Sequence, residues 1–204
     1  MKERYSVREA AAIAEVSPET IRTALEKKAL RPSHKHKTGK AVRYGFSVRD
    51  VLLMKLFTEF PFPLGKDDKD ALRAVLLRRA KTANRWRVAG PDLVFASGQV
   101  EVIVQCKHIR RRLAHNIAAF HWGKRRIVMS PEILSGEPVF RGTRIPLEHI
   151  AGLFRKAVDE REIAEDFPQL GARDLAYAEL YARLGPKPGR PKRGLQIRRK
   201  HKVA

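Results

Sequence analysis

Apolar residues recur at helical spacing along most of the chain, and short extended runs interrupt them. In residues 5–28, YSVREAAAIAEVSPETIRTALEKK, Ser6 stands three residues before Glu9, the reciprocal capping pattern that opens a helix. Its inner side carries Val7, Ala10, Ala11 and Ala14. Ser17 then caps a second helix with Pro18 at the first helical position, where a missing N–H costs little. Ile21, Ala24 and Leu25 fall on its inner face, and Glu19, Thr20, Arg22, Thr23 and Lys27 on its outer face. The cationic run SHKHKTGKAVRYGF predicts two short strands about Gly39, and Ser47 with Asp50 caps a third helix through Val48, Val51, Leu52 and Leu56.

The breaker PFPLG at 61–65 ends that helix. A fourth follows from Asp67 and Asp68, with Leu72, Val75 and Leu76 inward and Arg73, Arg78 and Arg79 outward. The runs 92–96 and 100–104, joined at Ser97-Gly98, predict a hairpin. Residues 107–122 then carry the stripe Ile109, Leu113, Ile117, Phe120 beside Arg110, Arg111 and Arg112. Extended runs at 126–129 and 139–146 precede three short helices. The first buries Leu147, Ile150, Ala151 and Phe154. The second opens at Asp159 with Glu162 and stops at Pro168, and the third carries Leu175, Ala178, Tyr181 and Ala182. The expected class is mainly α with short β-hairpins (α+β). Its parts are a winged helix-turn-helix at 1–60, a basic helix–hairpin–helix linker and dimerisation region at 61–126, a trihelical, helix-turn-helix-like domain at 127–184, and a basic disordered tail at 185–204.

Charge sharpens this division. The 204 residues carry 43 Lys and Arg against 22 Asp and Glu, a net charge of +21 that points to polyanionic partners. Counted from the sequence, residues 1–60 carry +6, 61–126 carry +10, 127–184 carry −3 and 185–204 carry +8. Cys106 is the only cysteine, so no intrachain disulfide forms and a reducing compartment fits. No apolar run reaches the roughly 18–20 residues of a membrane span, and the start MKERYSVREA lacks a signal-peptide core. The expected location is cytoplasmic, at the nucleoid when bound to DNA.

Catalysis is not expected. The chain has no glycine-rich phosphate loop, no H-E-x-x-H and no nucleophile elbow, and Asp159, Glu160, Glu162 and Asp166 lie at spacings that capping and solvation explain. Cys106 and His108 have no second ligand pair, and His34 and His36 sit in a basic loop that repels cations, so neither metal nor cofactor is expected. Trp86 and Trp122 read as core covers at element ends rather than as platforms for bases.

Two stretches resemble known families. Ser6-Val7-Arg8-Glu9-Ala10-Ala11, Val16-Ser17-Pro18-Glu19-Thr20-Ile21-Arg22, Arg43-Tyr44 and Asp50-Val51-Leu52 resemble the MerR-type winged helix-turn-helix family. The resemblance implies DNA contacts by Thr20 and Arg22 on a recognition helix and by Arg43 and Tyr44 in a wing. Ser17, Thr23, Lys27, Lys35, Lys37 and Lys40 complete the expected interface. Thr23 and Ala24 replace that family's paired tyrosines, and its long coiled coil and effector cysteines are missing, so a metal or drug sensor is not expected.

Ser130-Pro131-Glu132-Ile133-Leu134-Ser135-Gly136, the run Pro138 to Pro146 (PVFRGTRIP) and Ile163-Ala164-Glu165-Asp166-Phe167-Pro168 resemble the domain of unknown function 433 family. Members of that family look like VapB-type antitoxins encoded beside a PIN-like ribonuclease toxin. The resemblance implies a type II antitoxin that neutralises such a toxin and represses its own operator as a homodimer, within a higher hetero-oligomer once toxin is bound. The alternative is a stand-alone DNA-binding transcriptional regulator. In the tail, Lys187-Pro188-Gly189-Arg190-Pro191-Lys192 looks like an AT-hook that places Arg190 in a narrow minor groove. The competing reading sends the tail to the toxin, with Leu195 and Ile197 as apolar anchors and Arg198, Arg199 and Lys200 facing its carboxylates.

Overall fold

The computed structural model describes residues 4–38, 41–60, 64–77 and 82–185. The first two helices form where their caps predict. In α1 (Val7–Ala14) the Ser6 and Glu9 side chains satisfy each other's backbone N–H, and in α2 (Pro18–Glu26) Ser17 Oγ accepts from Thr20 N at 3.0 Å. Strands β1 (His34–Thr38) and β2 (Ala41–Gly45) pair antiparallel. Two backbone bonds of 2.9 Å between Tyr5 and Phe46 tie the base of this hairpin to the start of α1. Asp50 caps α3 (Val48–Glu59) and is itself buried. Its carboxylate accepts from Ser47 N at 2.8 Å, from Ser33 N at 3.3 Å and from the Ser33 hydroxyl, so one side chain joins the hairpin's entry to its exit.

The central region departs from the expected helix–hairpin–helix. Helix α4 (Lys66–Leu76) leads into a four-stranded antiparallel meander of β3 (Thr82–Ala83), β4 (Trp86–Ala89), β5 (Asp92–Ser97) and β6 (Val100–Val104). The predicted hairpin is β5 with β6. The two earlier strands are too short for a period-two pattern to show, and the turn between them uses Asn84 at φ 51°. Trp86 anchors this addition, packed edge-on to Phe60 at 5.0 Å and tilted against Phe95 at 4.9 Å between ring centres. Asp68 of α4, also buried, receives Arg85 Nε at 3.1 Å and Nη2 at 2.5 Å, fastening the helix to the sheet. A charged pair of this depth repays its desolvation only when both oxygens are bonded, as they are here.

Helix α5 (Cys106–Arg126) is longer than its apolar stripe predicts and ends at the expected boundary, where Ile127 is already extended. Its last turn feeds β7 (Ile127–Val128), which pairs with β8 (Val139–Phe140), with a 3-10 turn over Leu134–Gly136 between them. Then come α6 (Leu147–Arg155), α7 (Glu160–Asp166) and α8 (Ala172–Leu184), the three expected helices. Gly171 stands at the cap of α8 without a side chain to accept from the first turn, and Asp174 Oδ2 accepts from Gly171 N at 3.2 Å. Helix α8 packs on α5, α6 and α1.

One buried apolar cluster runs from Tyr5 through Phe46, Trp86, Leu113 and Phe140 to Leu180, so the three predicted parts share a core. Helix α1 shows the effect. Ala12 and Ile13, placed outward by its own periodicity, are buried like Ala10 and Ala11, because α2, α3, α5 and α8 surround it. The architecture is α+β, with eight α-helices and short antiparallel sheets among the described residues.

Candidate nucleic-acid interface

The outer face of α2 is assembled by its cap. Because Ser17 Oγ lies 2.8 Å from Thr20 Oγ1, both hydroxyls are held at the amino end of the helix while remaining exposed. Arg22 is exposed and extends toward Glu19, 3.1 Å away, an exposed pair that holds little energy and releases the guanidinium easily. Thr20, Thr23 and Lys27 border a groove of about 430 Å³ whose far wall is Met54 and Phe57 of α3. Lys69 of α4 reaches the same groove with its ammonium 5.6 Å from the Phe57 ring centre. Sequence reasoning left Lys69 out, since it lies 42 residues beyond Lys27 and only the packing of α4 on α3 brings it here.

The hairpin register pairs Lys35 with Tyr44, His36 with Arg43 and Lys37 with Val42. Opposed residues share a face, so Lys35, Lys37 and Tyr44 lie on one face, and Arg43 shares the other with His34 and His36. Arg43 and Tyr44 therefore cannot contact one ligand from the same face. Tyr44 is half-buried against the core, whereas Lys35, Lys37 and Arg43 are exposed. At the hairpin base a shallow pocket joins Arg43 and Tyr44 to Arg4 and Arg8. Lys40, Arg190, Leu195, Ile197, Arg198, Arg199 and Lys200 lie outside the described residues, as do Arg78 and Arg79.

Helix α5 presents further cations. Lys107, His108, Arg110, Arg111 and His115 are exposed along it, whereas Arg112 is drawn to Glu15 at 2.8 Å. Glu15, the left-handed cap residue of α1, also meets Asn116 Nδ2 at 3.2 Å, Arg183 Nη1 at 3.3 Å and Lys55 Nζ at 3.6 Å. Burial by itself raises the Glu15 carboxyl. The hydrogen bonds from Arg112 and Asn116 and the charges of Arg183 and Arg112 outweigh it, and its pKa lies below the ordinary value of 4.5.

Trp122 Nε1 donates to Asp174 Oδ1 at 2.8 Å, and Arg126 Nε reaches the same oxygen at 3.0 Å. The buried carboxylate thereby fixes the α5–α8 crossing. Cys106 is buried at the start of α5, and burial pushes its thiol up, away from the reactive thiolate. Among the described residues no group of three or more His, Cys, Asp or Glu side chains converges as metal ligands do, and no helix is long and apolar enough to cross a membrane.

Residues 127–182 match the model of a family described as a protein of unknown function, DUF433. The match begins at β7 and ends within α8, so it covers the two-stranded sheet and the three helices behind it. A protein of Sinorhizobium fredii (strain NBRC 101917 / NGR234) named "Uncharacterized protein y4eO" is 36% identical over 64 residues, which is 31% of this chain. The chain spans 29% of that relative's length. No solved structure matches the chain.

Proposed function

We propose that the chain is a DNA-binding autorepressor and the antitoxin of a type II toxin–antitoxin pair, acting as a homodimer that holds a PIN-like ribonuclease toxin. The observation that carries the DNA-binding half is the exposed α2 face, from Ser17 and Thr20 to Lys27, beside a cationic two-stranded hairpin in a chain of net charge +21. A capped helix of this kind offers side chains to base edges, and lysines on an adjoining hairpin offer charge to phosphates. Arg22 is then the base reader, with Thr20 and Thr23 beside it. Lys35 and Lys37 position the duplex from one face of the hairpin, Arg43 offers charge from the other, and the cations of α5 add phosphate contacts.

The antitoxin half rests on the resemblance of the 127–184 region together with its −3 charge, which makes that region the poorest phosphate binder of the chain. In this reading the region and the tail engage the toxin, with Arg198, Arg199 and Lys200 at its metal-binding carboxylates, and Arg190 is free for the minor groove. A protein of this kind performs no catalysis and needs no cofactor.

The deciding experiment is capture of the tagged full chain from its native cells at moderate salt with nuclease added, so that DNA cannot bridge false partners. A stoichiometric small acidic partner whose ribonuclease activity the chain suppresses supports the antitoxin. Recovery of the chain alone, with operator binding retained, replaces it by the stand-alone regulator.

A further inference from the structure

Among the described residues, the four-stranded meander ends in an uncovered edge. In the order β3-β4-β5-β6, strand β6 is, among the described residues, bonded on one side only, to β5. Natural edge strands are blunted by proline, lysine, a bulge or extreme shortness, because a free row of N–H and C=O groups pairs with any extended chain. Strand β6 reads Val100-Glu101-Val102-Ile103-Val104 and has none of these. Val100 is 60% and Ile103 64% exposed, among the most exposed large apolar side chains described. Its single charge, Glu101, is occupied by Arg87 at 3.0 Å.

The register identifies the two faces of this strand. Val102 lies beside Phe95, which lies beside Trp86, so Val100, Val102 and Val104 belong to the core face and Glu101 and Ile103 to the outer face. The core face is thin at this margin, since α4 packs against β3 and β4. A cavity of about 440 Å³ opens there between Val100, Val102 and Phe95 on the sheet and Gly65 of the segment leading into α4, with the bonded Asp68, Arg85 and Ser97 along its other side. An edge strand with a hollow beneath it, apolar on the side of Val100, Val102 and Phe95, is the arrangement in which an added strand gains backbone bonds and seats alternate side chains.

We propose that the occupant is β6 of a second copy of this chain, paired antiparallel about Val102 into a continuous eight-stranded sheet. The inference rests on the dimer of the proposed function and assigns its interface. Opposed residues in an antiparallel pair must share a face, which restricts a symmetric pairing to one centred on a residue rather than between residues. Centring on Glu101 sets two carboxylates opposite each other, and centring on Ile103 leaves Val100 unpaired. Centring on Val102 pairs all five residues, sets Val100 opposite Val104 of the second copy over the cavity, and sets Glu101 opposite its Ile103. Such a contact is isologous, the closed two-fold form that most homodimers use and that matches a palindromic operator.

The test is the mass of the full chain in solution by sedimentation, with operator binding measured in parallel. Val102→Cys, oxidised, should yield a disulfide-linked dimer, whereas Glu101→Cys should not. Wild type serves as the control, since its Cys106 is buried. Ile103→Glu places like charges together and should weaken dimerisation at least tenfold. Ile103→Lys, facing Glu101 of the second copy, should leave the dimer intact, and unchanged circular dichroism establishes that both variants fold. A dimer that survives Ile103→Glu, an equal loss for both Ile103 variants, or no cross-link at Val102 overturns the interface and leaves a dimeric repressor standing. A monomer that still binds operator overturns the dimer as well. Dimerisation or cross-linking at Val102 that appears only after removal of residues 186–204 overturns the proposal by showing that the chain's own tail occupies the edge.

Discussion

Arg8 and Leu184, which sit on the first turn of α1 and the last turn of α8, are joined by the Arg8 guanidinium donating to the Leu184 carbonyl through Nε at 3.3 Å and Nη2 at 2.7 Å. The same Nη2 reaches the Gly185 carbonyl at 2.7 Å. Carbonyls at a helix end have no partner within the helix, so a cation there satisfies orphan acceptors and the negative end of the helix dipole together. Arg8 stands in the segment from which DNA contact is expected, and here it fastens the last helix to the first.

Replacing Arg8 by Ala should therefore loosen the far end of the chain. A hydrogen bond to a charged group contributes about 1.5–3 kcal/mol, and a loss in that range is expected by urea denaturation of the full chain. Hydrogen exchange should rise in the last turn of α8 before it rises in α2. Equal acceleration in both helices would remove Arg8 from this role.

Glu15→Gln should lower stability by about 1–2 kcal/mol, because the neutral amide loses the charge that Arg112 and Asn116 bond, while Lys55 and Arg183 keep Glu59 and Glu179. The Glu15 carboxyl has a depressed pKa in the folded chain, so its contribution is present above the unfolded value near 4.5 and is lost as pH falls through the lower folded value. Thermal melts from pH 6 to pH 3 should show a shallower acid limb for the variant than for wild type. Parallel limbs would count against the depressed carboxyl.

Gly123 of α5 has no room for a side chain, since a Cβ there would stand 2.1 Å from the Tyr177 ring of α8. The ring is stiff and buried, so Gly123→Ala should cost about 1–3 kcal/mol, the usual penalty of overpacking, despite alanine's better helix propensity. Combining it with Tyr177→Ala should lose less than the sum of the two single losses. Strict additivity in a double-mutant cycle would show that the two residues do not meet.

Burial pushes the Tyr177 hydroxyl up to about 12 from its ordinary value of 10. The unfolded chain ionises this phenol first, so the stabilisation holds below pH 10 and is lost as pH rises from 10 toward 12. Tyr177→Phe should flatten the alkaline limb of a stability profile measured by chemical denaturation. An unchanged limb would place the alkaline loss elsewhere.

On operator DNA, Arg22→Ala should reduce discrimination between specific and random duplexes, and Lys37→Ala should weaken both about equally. Affinity should fall steeply with salt, each neutralised phosphate contributing about 0.9 to the logarithmic slope, as fluorescence anisotropy would measure. Equal losses on both duplexes for Arg22→Ala would deny it base contact, and a salt-insensitive complex would deny the phosphate track.

The helix starts at Ser6, Ser17 and Ser47 were legible because a cap closes within three residues, and the hairpin of β5 and β6 because its turn and flanking β-formers are contiguous. Exposure of Thr20 and Arg22 followed from the same periodicity. The division of Arg43 from Lys35 and Lys37 follows from strand alternation and the pairing register. Strands β3 and β4 were not legible, since strands of two and four residues hold too few positions for a pattern and depend on Trp86 finding Phe60 and Phe95.

By itself, then, the sequence determined what is local: the helices and their caps, the hairpins with clear turns, the segregation of charge and the recognisable stretch beginning near 127. Tertiary structure decided what joins distant segments. The Glu15 carboxylate collects cations from α3, α5 and α8, and Asp174 receives Trp122 and Arg126 from a helix about fifty residues away. Gly123 admits Tyr177, and α1 is buried on faces its own periodicity assigned to solvent. Caps and turns are encoded by residues within a few positions of one another. A buried charge or a missing Cβ acquires its meaning only from the partner that packing brings to it.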